Sequence, residues 1–154
     1  MDRQTASVEL SNEEFLKEVR MLIAEGHDVT LRVRGVSMRP FLEDRRDKIV
    51  LTRPGMPEIG DAVLAEIAPG KYVYHRIVRI EDGQLTLRGD GNVYGTEQCG
   101  VGDIAASTKQ FIRKGKTYLP DGRRWRCYSA LWPKCPLARR VLLAVYRRLP
   151  VAWR

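Results

Sequence analysis

No stretch of this 154-residue chain approaches the roughly 20 consecutive apolar residues needed to cross a bilayer as a helix. Met1 to Leu10 is polar and holds no apolar core segment, so no secretory signal is read there. The three cysteines, Cys99, Cys127 and Cys135, are odd in number and lack Cys-x-x-Cys spacing, which argues against a disulfide framework and a zinc knuckle. They are compatible with a reducing compartment, and the expected location is cytoplasmic. The two histidines, His27 and His75, offer no metal-ligand spacing, and no glycine-rich phosphate loop appears, so neither metal nor cofactor is expected.

Acidic residues are scarce in one region only. From Lys109 to Arg154 there are thirteen Lys and Arg against one acid, Asp121, whereas the first 108 residues carry fourteen basic and eighteen acidic side chains. A mildly acidic body thus precedes a strongly basic tail. With 44% hydrophobic residues, the chain has material for one core with appendages. The division expected is a helical segment over 1–28, a β-rich domain over 29–120 and a basic tail over 121–154.

The informative stretch runs from Val33 to Leu42, Val-Arg-Gly-Val-Ser-Met-Arg-Pro-Phe-Leu. A β-favouring run from Val29 to Arg34 ends at Gly35, where the backbone is free to turn, and Pro40 opposes a simple return to strand or helix. Ser37 is therefore expected on a constrained bend, where its hydroxyl can point outward and its N–H can face a developing oxyanion. A turn-capping serine is the alternative.

Lys71 to Ile80 reads as a strand, with Val73, His75 and Ile77 on one face and Tyr72, Tyr74, Arg76 and Val78 on the other. A histidine on an apolar face is commonly a satisfied core residue. It also has the chemistry of the base that a weakly nucleophilic serine requires.

Four segments together resemble a family. Gly35-Val36-Ser37-Met38-Arg39-Pro40 looks like the Gly-x-Ser-Met-x-Pro box of the signal peptidase group of serine peptidases, which is related to the self-cleaving SOS-response repressors. Gly60-Asp61-Ala62-Val63 resembles its Gly-Asp strand opening, His75-Arg76-Ile77 its base-bearing segment, and Arg88-Gly89-Asp90-Gly91-Asn92 its Lys-Gly-Asp-x-Asn box. The four follow the family's order across residues 29 to 105. Bacterial signal peptidases and the repressors carry lysine as base, whereas the endoplasmic-reticulum and archaeal type carries histidine, and His75-Arg76-Ile77 is similar to the latter.

The resemblance implies a mainly β fold: a coiled antiparallel peptidase core with an N-terminal amphipathic helix and a basic C-terminal helix. It also implies a serine endopeptidase in which His75 deprotonates Ser37 and an acyl-enzyme forms. Histidine ordinarily titrates near 6.5, so activity is expected to rise between about pH 6 and 7.5. Histidine-type enzymes place an aspartate beyond the Gly-Asp-x-Asn box, where this chain has Thr96-Glu97-Gln98. Asp90 and Glu97 are the two residues that could orient the imidazole, and Asp90-Gly91 also reads as a hairpin turn. Many signal peptidases carry a serine where this chain has Gly35, so the oxyanion donors would be the Ser37 N–H and neighbouring backbone. Met38 and Phe41 are candidates for lining the substrate groove or, equally, for the core.

The remaining expectations concern the ends and connections. Ser11-Asn12-Glu13-Glu14 has the form of a capping box, followed by Phe15, Val19, Leu22 and Ile23 at helical spacing up to Gly26. Strands are read at Lys48 to Thr52, Asp61 to Ile67, Leu85 to Leu87, Ile104 to Arg113 and Lys116 to Leu119, and Gly91 to Gly102 is read as a loop. In the tail, Leu137, Val141, Leu142, Val145 and Leu149 recur at helical spacing, bordered by Trp132 and Trp153. Docking of this stripe on the domain is favoured over docking on an anionic membrane surface. A non-catalytic or dedicated peptide-binding module on the same fold is a second possibility for the whole chain. Nucleic-acid binding through the basic tail is a third, without any recognition motif to support it.

Overall fold

A computed structural model describes residues 12–150, so the Ser11 end of the capping box and Trp153 lie outside the described residues. The fold is mainly β and antiparallel. Thirteen residues form α1 (Asn12–Ala24); β1 (Val29–Arg32) and β2 (Lys48–Thr52) follow, separated by the loop that carries Ser37. Then come β3 (Ala62–Ala68), β4 (Lys71–Glu81), β5 (Gln84–Arg88), β6 (Glu97–Gly100), β7 (Ile104–Arg113) and β8 (Lys116–Tyr118). Two helices, α2 (Arg123–Leu131) and α3 (Pro136–Arg148), close the described chain.

The eight strands form one sheet in the order β1-β2-β7-β3-β4-β5-β6, with β8 beside β7. Register irregularities at Val50/Leu51, Leu64/Ala65 and Ile77/Arg79 bend the strands. Strand alternation then serves two interiors. Ala62 and Leu64 enter one cluster with Phe41, Phe111 and Trp125, while their neighbours Val63 and Ala65 enter another with Ile77, Leu85 and Leu87. On β4, Tyr72 and Tyr74 pack against the first cluster and Val73 and Ile77 belong with the second, the division that alternation predicts.

Three expectations are corrected. The inward stripe of α1 is Leu16, Val19 and Ile23, whereas Phe15 and Leu22 are exposed. The segment read as a loop over Gly91 to Gly102 contains β6, which pairs with β5 from Leu87 opposite Glu97 to Gln84 opposite Gly100. The tail contains α2, whose Trp125 is buried in the first cluster, stacked on Phe111 at 4.2 Å between ring centroids. The tail is therefore part of the packed body, fastened by aromatic contact rather than by an aliphatic stripe.

The helix α3 sits the other way round from the expectation of a docked apolar stripe. Arg139 and Leu143 are buried and the Tyr146 hydroxyl donates to Glu43 at 2.9 Å, while Leu137, Val141, Leu142 and Val145 face outward. Burial, with the hydrogen bond to Glu43, pushes the Tyr146 hydroxyl up to about 12, so it remains a donor at neutral pH.

Candidate active site

Ser37 lies half-buried in the loop between β1 and β2. Gly35 has φ of +85°, a conformation that side chains disfavour, and its N–H donates to the Asp44 carboxylate at 2.8 Å. The far end of the loop is clamped by Asp47, which is fully buried. Its carboxylate accepts from the Glu43 N–H at 2.8 Å, from the Arg46 guanidinium at 2.7 and 2.8 Å, and from the Lys114 N–H at 3.2 Å. Burial opposes the charge on Asp47, but these donors outweigh it and hold its carboxyl below the usual aspartate value.

The loop rests on the Gly89-Asp90-Gly91 segment that follows β5. The Gly91 N–H donates to the Ser37 carbonyl at 2.7 Å. A methyl group added to Gly89 would lie 2.5 Å from the Ser37 carbonyl oxygen, 2.8 Å from the Asn92 side-chain nitrogen and 3.1 Å from His75 Nε2. One added to Gly91 would lie 2.3 Å from the Val36 carbonyl oxygen. Both glycines thus let the serine loop and the strand ends meet backbone to backbone. The Ser37 backbone and His75 Nε2 share the space above Gly89, no farther apart than the sum of their two distances to it.

The sheet register explains how His75 gains a carboxylate. Ile77 pairs with Leu87 on β5, and Leu87 pairs with Glu97 on β6, so these three side chains share one face. His75, two residues before Ile77, shares it too. Its Nδ1 lies 2.8 Å from a Glu97 carboxylate oxygen. The imidazole is buried, whereas the Glu97 side chain is 28% exposed. A neutral imidazole that donates Nδ1–H to this carboxylate has Nε2, on the Gly89 side, as its acceptor nitrogen.

Asp90 does not serve the imidazole. It points to the opposite face, where both its oxygens are taken by Arg76, at 2.7 and 2.8 Å, and one also accepts from the Tyr128 hydroxyl at 2.9 Å. Arg76 donates further to the Gly60 carbonyl and to Ser129 Oγ, and its guanidinium lies 4.2 Å from the Trp125 ring centroid. Asp90 is therefore half of a sealed ion pair that fastens α2 to the sheet. The hairpin reading fares better in part, since the Asn92 N–H closes a turn on the Gly89 carbonyl at 3.0 Å.

Met38 and Phe41 are buried core residues, not groove walls. Phe41 makes ring contacts with Phe111, Trp125, Tyr118 and Tyr128. The open surface beside Ser37 is instead a cleft of about 210 Å³ lined by Val36, Arg39, Gly91, Leu143 and Arg147. Sequence reasoning missed Leu143 and Arg147 because they lie more than a hundred positions away, on a helix whose stripe reads the other way.

Among the described residues, no helix is long and apolar enough to cross a membrane. No protein-family model, curated protein or solved structure matches the chain.

Proposed function

We propose that the chain is a serine endopeptidase of the signal-peptidase-like, histidine-type group, acting through Ser37, His75 and Glu97. The observation that carries this reading is the Glu97 carboxylate on His75 Nδ1, which leaves Nε2 as an acceptor on the side of the Ser37 loop. The four boxes in family order support it.

In this reading a peptide lies in the cleft beside Val36 and Gly91. His75 Nε2 removes the Ser37 hydroxyl proton as Oγ bonds to the scissile carbonyl carbon. The Ser37 N–H and adjacent backbone hold the resulting oxyanion. The imidazolium, steadied by Glu97, passes its proton to the departing amine as the C–N bond breaks, and the acyl group remains on Ser37. Water then attacks the ester, giving a proton to His75, which passes it to Ser37 Oγ as the acyl C–O bond breaks and the carboxylic product leaves. The protein would act in the cytoplasm, including at the cytoplasmic face of a membrane.

The test compares new protein N-termini generated in the native host by the intact protein and by Ser37→Ala. N-termini present with the intact protein and missing with Ser37→Ala support the peptidase. Identical sets would leave the fold as a peptide-binding module.

A further inference from the structure

The side of α3 that apolar patterning marks for burial is the side that faces water. Leu137, Val141, Leu142 and Val145 are 73%, 57%, 54% and 49% exposed, whereas Arg139, on the opposite side, is 2% exposed. The helix is held in this rotation by three contacts on its inner side. The Arg139 guanidinium donates to the Asn92 carbonyl, Leu143 is buried, and Tyr146 donates to Glu43. At spacings of four and three residues these anchors define one face, so the outward direction of the leucines and valines is fixed by packing.

Charge says what covers that face. Between Gly122 and Pro150 there are eight Lys and Arg and no acidic residue. Arg140 and Arg148 are exposed beside the apolar residues. Tyr94 is also exposed, with its ring centroid 5.4 Å from the Arg140 guanidinium carbon, and adds an amphipathic aromatic at the same border. A second copy seated on this face would bring its own arginines against these, which like-charge repulsion opposes. An apolar strip on one convex helix, bordered by arginines and an aromatic with no acid on the helix, fits a flat surface that is apolar within and negative at its rim.

We propose that α3 is a membrane-surface helix whose outer face docks on bilayers containing anionic lipid. Leu137, Val141, Leu142 and Val145 enter the boundary between headgroups and acyl chains, and Arg140 and Arg148 meet headgroup phosphates. Attachment does not depend on the chemistry at Ser37. Leu143 and Arg147 on α3 line the cleft beside Ser37, so docking holds that cleft within about one helix diameter, roughly 10 Å, of the lipid.

The experiment is flotation of the full chain with vesicles of phosphatidylcholine alone and of phosphatidylcholine with phosphatidylglycerol. The intact protein is expected to float with the anionic vesicles and much less with the neutral ones. Leu137→Glu combined with Val141→Glu should lower partitioning about tenfold or more, and Arg140→Gln combined with Arg148→Gln should lower it several-fold at low salt. Thermal melting of each variant shows that the fold is kept, because all four side chains are exposed. Failure of the intact protein to float with anionic vesicles overturns the proposal, as does undiminished binding of the Leu137→Glu, Val141→Glu variant. Light scattering that shows a dimer dispersed by that variant, without vesicle binding, overturns it in favour of a second copy. Equal binding to a short nucleic-acid duplex that the double glutamate variant retains, again without vesicle binding, overturns it in favour of a simple cationic surface.

Discussion

His75 and Arg76 are neighbours on one strand, and each meets a carboxylate at nearly the same distance, 2.8 Å for His75 with Glu97 and 2.7 Å for Arg76 with Asp90. The two pairs differ in every respect that matters for chemistry. The Arg76 pair is sealed, with both partners nearly inaccessible and every Asp90 oxygen occupied by a permanent cation or a tyrosine. The His75 pair has one partner partly in water and a ring nitrogen turned toward a loop that carries a hydroxyl. Similar bond lengths therefore serve different ends: one pair locks α2 to the sheet, while the other leaves the second imidazole nitrogen on the side of the serine loop, as the proposed base requires.

Five substitutions, the last read by acid titration, test this comparison and the loop beside it. Ser37→Ala should give the largest effect, a loss of peptidase turnover of about four orders of magnitude or more with an unchanged melting temperature, read by cleavage kinetics and calorimetry. Asp90→Ala should show the reverse signature, a stability loss of about 3 to 5 kcal/mol in urea unfolding, because it strands a buried guanidinium. An Asp90→Ala variant of full stability would erase the distinction drawn between the two pairs. Glu97→Gln should slow turnover by about two to three orders of magnitude while stability falls by less than about 1 kcal/mol, since that carboxylate is partly solvated. Gly89→Ala should cost roughly 1 to 3 kcal/mol and reduce turnover, because the added methyl must displace the Ser37 carbonyl or the imidazole.

The smallest effect concerns acid. The Asp47 carboxyl is held below its unfolded value, so its contribution to stability is present above the ordinary aspartate range near 3.9 and is lost as pH falls through the lower folded value. Asp47→Asn should therefore flatten stability against pH below about pH 4, where the intact protein weakens. An unchanged slope in acid-unfolding curves would remove Asp47 from the clamp on the serine loop.

Much of this architecture was legible along the chain. Gly35 and the alternation of β4 place the serine bend and the histidine strand where they stand, since each depends on local conformational preference. What was hidden depends on partners remote in sequence. The short strand β6 has only four residues and no apolar run, so its pairing arises from β5. Its Glu97 was one of two acids that the sequence left open. The choice fell to Glu97 because the buried arginine on the far side of the strand claims Asp90, a competition that spacing alone does not reveal. The helix α2 is arginine-rich and hangs on Trp125 and Tyr128, too few anchors for a periodic signal. The helix α3 has the periodicity of a docked helix and the opposite rotation, because Arg139, Leu143 and Tyr146 find better partners inside than the leucines and valines do.

The placement of histidine and arginine side by side on β4 makes strand register a condition of any chemistry at Ser37. A slip of one residue against β5 would carry the imidazole into the interior that holds Trp125 and turn toward the serine loop a guanidinium that never gives up its proton. Such a misfolded chain would keep its hydrophobic composition and lose the His75–Glu97 contact, so under the proposed mechanism pairing accuracy in one hairpin and turnover should rise and fall together.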